Sequence, residues 1–139
     1  MPDLFLIASQ EDAEVLKKHI KTIIGPALRQ ATANSFEDLK KDPEKVSVYI
    51  LTHQGGDNIP PLQIIGLASW NEQRERELEG WRNRLGRAWG IILSDEVFGR
   101  ELTSRFPFDK VEIWPLMPKG SFATAAFAAK MFLEEQNWR

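Results

Sequence analysis

The run of patterns along this chain predicts an α+β domain, with a mainly antiparallel or mixed sheet flanked by helices in the order β-α-(α)-β-β-α-α-β-α. Three observations predict it. Short apolar runs with strand character recur at Leu4–Ala8, Val46–His53, Leu62–Trp70 and Lys110–Met117. The segments between them carry apolar residues at helical spacing. The length of 139 residues fits a single domain spanning 1–139, large enough to bury a core without disulfides.

The elements follow in order. Leu4-Phe5-Leu6-Ile7-Ala8 suits a buried strand. Ser9-Gln10-Glu11-Asp12 then reads as a helix start, because the serine hydroxyl accepts from an early N–H and two acids sit at the positive end of the helix dipole. Leu16, Ile20, Ile23 and Ile24 share one helical face. Gly25-Pro26 predicts a break or kink, with a second helical piece continuing through Leu28. Ser35-Phe36-Glu37-Asp38 opens a further short helix that ends before Pro43.

Val46 to His53 alternates, whereas Leu62 to Trp70 is apolar on both faces, as an interior strand is. The turn-rich loop Gln54 to Pro61 between them predicts an antiparallel hairpin. Residues 71–87 are highly charged, yet Leu78, Trp81, Leu85 and Trp89 recur at helical spacing, so an amphipathic helix with one docked face is expected despite Gly80 and Gly86. Trp89 to Leu93 either extends that helix or forms a strand of its own. Ser94-Asp95-Glu96 opens the next helix, with Phe98 and Leu102 inward. Pro115 places the strand from Lys110 to Met117 at an edge or a bulge. Pro118-Lys119-Gly120-Ser121 leads into an Ala-rich helix from Phe122 to Gln136. No repeat is visible in the sequence.

Composition narrows the function classes. The chain has no Cys, which removes disulfides, thiolate zinc sites and a cysteine nucleophile. A reducing, cytoplasmic setting fits. No apolar run approaches the ~18 residues that span a bilayer, and Met1-Pro2-Asp3-Leu4 lacks the basic start of a signal peptide. The formal net charge of −2 gives no global pull toward nucleic acid or anionic membrane.

Four groups of residues carry candidate chemistry. The turn Met117-Pro118-Lys119-Gly120-Ser121 precedes a helix, where free N–H groups and Lys119 would meet an anion; alternatively Ser121 is a plain helix cap. The run Glu72 to Arg87 would grip phosphate through Arg74, Arg76, Arg82, Arg84 and Arg87, but the interleaved Glu residues nearly cancel that field, and a solvated face with pairs such as Glu72–Arg76 reads better. His53, beside the Gly-Gly-Asp loop, is a general base or an ordinary hairpin-end histidine, and with His19 it has no metal-ligand spacing. Glu112 lies mid-strand, with Val111 and Ile113 on the opposite side, and is either a general base or a solvent-facing edge residue.

Two stretches carry a resemblance. Ile7 to Leu16 resembles the opening strand and helix of GNAT-type (GCN5-related) N-acetyltransferases, and Ile64-Ile65-Gly66-Leu67-Ala68-Ser69-Trp70 is similar to that family's third strand. The resemblance implies an acyl-CoA-dependent N-acyltransferase-like domain, degenerate or inactive in one version, with a small-molecule or protein amine as substrate. Acetyl-CoA would then lie against Met117, Lys119, Gly120 and Ser121. Glu112 would deprotonate the amine; the family's tyrosine acid has no counterpart at its own place, which leaves Tyr49, the single tyrosine, as the other catalytic candidate. Asp3 to Asp12 also resembles the start of a TIR-like domain, in which 89–93 would be a strand of a parallel sheet and Glu101 the carboxylate that contacts NAD. A third reading is a non-catalytic binding or inhibitory module acting through exposed Trp81, Trp114 or Trp138. Oligomeric state is not legible.

Overall fold

A computed structural model of the chain describes residues 2–119 and 125–137. The order is β1 (Asp3–Ser9), α1 (Gln10–His19), a π-helical turn (Ile20–Ile24), α2 (Gly25–Ser35), β2 (Ser47–His53), β3 (Leu62–Leu67), α3 (Glu72–Arg76), α4 (Leu78–Leu93), α5 (Gly99–Arg105), β4 (Val111–Leu116) and α6 (Ala125–Asn137). Short 3-10 turns at Glu37–Leu39, Pro43–Lys45 and Phe108–Lys110 fill the connections. The fold class is as expected: an α+β chain with a mixed four-stranded sheet and helices packed on it.

The strands run in the order β2-β1-β3-β4. β1 pairs with β2 in parallel, β1 with β3 antiparallel, and β3 with β4 in parallel. The connectivity is therefore a β-α-β unit used twice, the two halves joined through antiparallel β1 and β3, although no sequence repeat announces it. The expected hairpin between 46–53 and 62–70 is corrected here. β2 and β3 do run in opposite directions, but β1 lies between them. The loop Gln54–Pro61 crosses the end of β1 and needs backbone freedom to do so: Gly55 has φ +105°, in the region that favours glycine.

Helix boundaries follow local chemistry. Ser9 Oγ accepts from the Asp12 N–H at 3.2 Å and starts α1. The expected break at Gly25-Pro26 is a π turn followed directly by α2, with proline in the first turn, where its missing N–H costs nothing. Asp95 Oδ2 accepts from the Val97 and Phe98 N–H groups, at 3.0 and 2.8 Å, and turns the chain ahead of α5. Phe98 is not fully inward: it is 37% exposed and lies against His19, ring centroids 4.4 Å apart. Residues 89–93 are the last turns of α4, not a strand. Arg105 ties α5 back to α1, at 2.8 Å from Asp12 and 3.4 Å from Glu11. The hydrogen bond to Asp12 is the main cause holding that guanidinium above its ordinary pKa.

One side of the sheet faces the helices and is filled. Leu4, Leu6 and Ala8 of β1 and Leu62 and Ile64 of β3 are buried against Leu16, Leu28 and the α4 residues Trp81, Leu85, Trp89 and Ile92. Each fully buried side chain of this size contributes about 1.5–3 kcal/mol relative to exposure. Gly66 is required where Trp81 crosses β3, since a Cβ there would lie 2.5 Å from Cη2 and Cζ2 of that ring. Gly66→Ala is expected to destabilise by about 1–3 kcal/mol through this overpacking, read as a lower denaturation midpoint at unchanged slope.

Candidate functional site

Strand register brings one set of chain segments together at a single end of the sheet. Asp3 is opposite Ser47 on one side and Leu67 on the other, so Pro2 sits at the level of Val46 and Ala68. The Ser47 N–H donates to the Pro2 carbonyl at 3.3 Å, and the Ala68 N–H donates to the Leu116 carbonyl at 3.0 Å. Pro2 is buried at the head of an interior strand, a position where a residue with no N–H is tolerated.

Past Ala68 the chain supplies charge to this end. Asn71 caps α3, its Oδ1 accepting from the Arg74 N–H at 2.8 Å. That cap turns the Arg74 side chain inward, where it is 7% exposed. Its Nη1 donates to the Ser69 carbonyl and hydroxyl, at 3.2 and 2.8 Å, and its Nη2 to Asp38 Oδ2 at 2.6 Å. The guanidinium also lies 5.3 Å from the centre of the Phe36 ring. A buried cation is tolerated only with partners of this kind. Its Nε has no partner among the described residues. Lys119 adds a second cation, its Nζ 5.1 Å from the centre of the Trp70 ring and 3.7 Å from Glu75 Oε1. Glu75 in turn accepts from Trp70 Nε1 at 3.0 Å. Pro2, a fixed guanidinium and an ammonium thus lie toward one sheet end.

The residues singled out in sequence fall elsewhere, apart from Lys119. Glu112 and Tyr49 are exposed on the face of the sheet away from the helices, on β4 and β2, the two outer strands. Three inter-strand spacings, about 14 Å, part those strands, so the structure does not bring the two together. Glu112 Oε1 accepts from Gln63 Nε2 at 3.2 Å and Trp114 Nε1 at 3.1 Å, and the residue borders a shallow cleft of about 480 Å³ beside Asp109, Lys110 and Asn58. Tyr49 stacks on Phe5 at 5.3 Å. Met117 is partly buried against the core, and Gly120 and Ser121 lie outside the described residues. His53 accepts from the Gly55 N–H at 3.0 Å, and His19 is buried, with Nε2 3.9 Å from Glu101. In the charged run Arg82–Glu79 and Arg84–Glu77 pair at the surface, the expected Glu72–Arg76 pair is not among the ion pairs of the described residues, and Arg74 turns inward. Trp81 is fully buried, Trp114 is 50% exposed, and Trp138 lies outside the described residues. Among the described residues no cluster of His, Asp or Glu could hold a metal ion, and no helix is long and apolar enough to cross a membrane.

Sequence reasoning missed Pro2 and placed Arg74 with the other arginines of a solvated run. The signals were present: the Met1-Pro2 pair, and Asn71, three residues before Arg74, as a helix cap that orients it.

No protein-family model matches the sequence, and no curated protein matches it. Solved structures do resemble the chain. One is a fused 4-OT wild-type asymmetric trimer, 13% identical over 88% of this chain and 92% of that one, with TM-score 0.47. A second is Pt0534 inactivated by 2-oxo-3-pentynoate, 16% identical over 88% and 91%, with TM-score 0.49. A third is the macrophage migration inhibitory factor-like protein of Entamoeba histolytica, 13% identical over 88% and 95%, with TM-score 0.48. None of these three is a GNAT-type acetyltransferase, and the TIR-like and non-catalytic binding-module alternatives find no match among them; the strand topology corrects the acyltransferase expectation. The hairpin expected between 46–53 and 62–70 is interrupted by β1, and residues 89–93, which the TIR-like reading makes a strand, are helix.

Proposed function

We propose that this chain catalyses proton transfer on enolisable carbonyl compounds that carry a carboxylate, with the Pro2 nitrogen as the base. The observation that carries this reading is the placement of Pro2, buried at the head of an interior strand and at the same sheet end as the Arg74 guanidinium. A proline in first position has a secondary amine, and α-amino groups ordinarily titrate near about 7.7–8.0. The unprotonated form of that amine carries the lone pair that takes the proton. The base takes a proton from the carbon next to the carbonyl, leaving an enolate, and returns it to a different carbon or to the same one. Arg74 stabilises the enolate charge as it develops, and Lys119 holds the substrate's carboxylate.

The reading requires Pro2 to be the first residue of the mature chain, which the intact mass of the purified protein measures directly. Solvent exchange of the α-hydrogens of a 2-oxo acid in D2O, followed by proton NMR, then tests the chemistry. A reactive probe locates the base: 2-oxo-3-pentynoate adds an amine across its triple bond with no atom lost. The expected result is catalysed exchange and one adduct, of the mass of one reagent molecule, on the peptide that begins at Pro2. A retained residue before Pro2, labelling confined to lysines, or no exchange above background each overturns the proposal.

A further inference from the structure

The two long helices leave a space between them on the side away from the sheet. α2 returns the chain between parallel β1 and β2, and α4 returns it between parallel β3 and β4. Because β1 and β3 are antiparallel, α2 and α4 run in opposite directions. Between them lies a cleft of about 360 Å³, and small-molecule sites occupy about 300–1,000 Å³. It shares no residue with the sheet end that holds Pro2.

The floor is built of side chains too short to close the space. Ala31 of α2 and Ala88 of α4 are nearly covered, at 9% and 8% exposed, and Ala27 lies beside them. Ile91 forms an apolar wall at one end and is itself exposed. The rest of the lining is polar: Gln30, Asn34, Arg84 and Arg87. Among the described residues no acid lines the cleft. Arg84 marks the end opposite Ile91, since its Nη1 reaches across to Ser35 Oγ at 3.3 Å, next to Asn34. The same Nη1 meets Glu77 Oε2 at 3.4 Å. A guanidinium has five N–H donors in a planar fork, so Nε and Nη2 of Arg84 remain available. Arg87 follows one turn on and is exposed. Asn34 Oδ1 accepts from Gln30 Nε2 at 2.8 Å, which leaves the Asn34 amide N–H groups as donors at the same end.

We infer that this cleft binds a small amphiphilic carboxylate, its head between Arg84 and Arg87 and its hydrocarbon body along Ala88 and Ala31 toward Ile91. The charge of the lining decides the sign of the ligand: two guanidiniums face the space, and the one nearby acid, Glu77, offsets only Arg84. Arginine forks match the two oxygens of a carboxylate. The alanine floor decides the rest. A bare anion would leave that floor and Ile91 in water, and a plain hydrocarbon would leave the guanidiniums without a partner. Arg84 and Ile91 are separated by about 10 Å of helix rise, which suits a chain of medium length such as octanoate. This inference does not rest on Pro2 being a base.

Titration of the ¹⁵N-labelled full chain with octanoate, followed by amide chemical shifts, tests it. The expected result is saturable binding in the millimolar range or tighter, with the shifts centred on Ala27, Ala31, Ala88 and Ile91. Arg87→Glu is expected to weaken binding by about tenfold or more, the usual worth of a hydrogen bond to a charged group. Arg82→Glu, the same charge change on an exposed residue of α4 outside the cleft, should leave it unchanged. Ala27→Leu fills the floor and should abolish saturation, with circular dichroism as the check on folding. Octanol and inorganic phosphate should each bind less tightly than octanoate. No saturable shifts at low-millimolar octanoate, shifts centred instead on Ser47, Ala68 and Ser69, or an affinity unchanged in Arg87→Glu each overturns the inference. Self-association of the chain that is lost in Arg87→Glu would give the cleft to a second copy and overturn it equally.

Discussion

Trp81→Ala is expected to lower the unfolding free energy by about 3–5 kcal/mol, the range for removing a buried tryptophan from a packed core. Trp81 is fully buried, and its ring is used on every side. Its edge meets Phe36 with centroids 4.9 Å apart, and its six-membered ring sits under Gly66 of β3. Its Nε1 donates to Thr32 Oγ1 at 3.0 Å, joining α4 to α2. Truncation leaves a void that these rigid elements cannot close, and it strands the Thr32 hydroxyl, itself fully buried, with one partner fewer. Domains are stable by about 5–15 kcal/mol, so the loss is a large share of the total. Each kcal/mol moves the melting temperature of a chain this size by about 3–4 °C, giving a fall on the order of 10–20 °C. Trp81→Phe keeps the ring contact and gives up the hydrogen bond, so its expected cost is smaller, about 1–2 kcal/mol. Equal losses for the two variants would show that the hydrogen bond, not the ring volume, holds α2 to α4.

Trp81 also shows what was readable in the sequence. Its spacing with Leu78, Leu85 and Trp89 marks the buried face of α4 by helical period alone, since a helix must turn one stripe to the core. The cap at Ser9 and the two-sided apolar character of β3 are local signals of the same kind, and each matches the structure. Neighbour choice among strands is not local. The loop Gln54–Pro61 indicates that the chain reverses, and it does, but a reversing loop does not say whether another strand fits between its arms. Here β1, apolar at every position from Leu4 to Ala8, takes that place and pairs along both edges. The site is hidden for a different reason. Within a peptide chain a proline nitrogen is an amide and has no acid–base chemistry, so Pro2 reads as a structural residue unless it stands first. Arg74 reads as one charge in a solvated run until Asn71 and Asp38 are seen to turn it inward.

That difference between an amide and an amine sets the largest expected effect on activity. In a chain with a removable tag fused ahead of Pro2, its nitrogen is locked in a peptide bond with no basic lone pair and no proton to exchange. Catalysed α-hydrogen exchange is expected to fall by about 10²–10⁴-fold, the usual contribution of a positioned general base, which corresponds to about 2.7–5.5 kcal/mol of barrier. Circular dichroism and melting temperature should stay near those of the untagged chain, because among the described residues Pro2 bonds through its carbonyl, to Ser47. Cleaving the tag so that Pro2 is first should restore the rate; a merely structural role for Pro2 predicts no such recovery. The pH profile provides the second readout. A base must be unprotonated to act, so kcat/KM of the Pro2-first chain should drop as pH falls through the titration of the free amine. The tagged chain should lack that limb. Equal rates with and without the tag would place the base elsewhere in the chain and leave Pro2 as the structural head of β1.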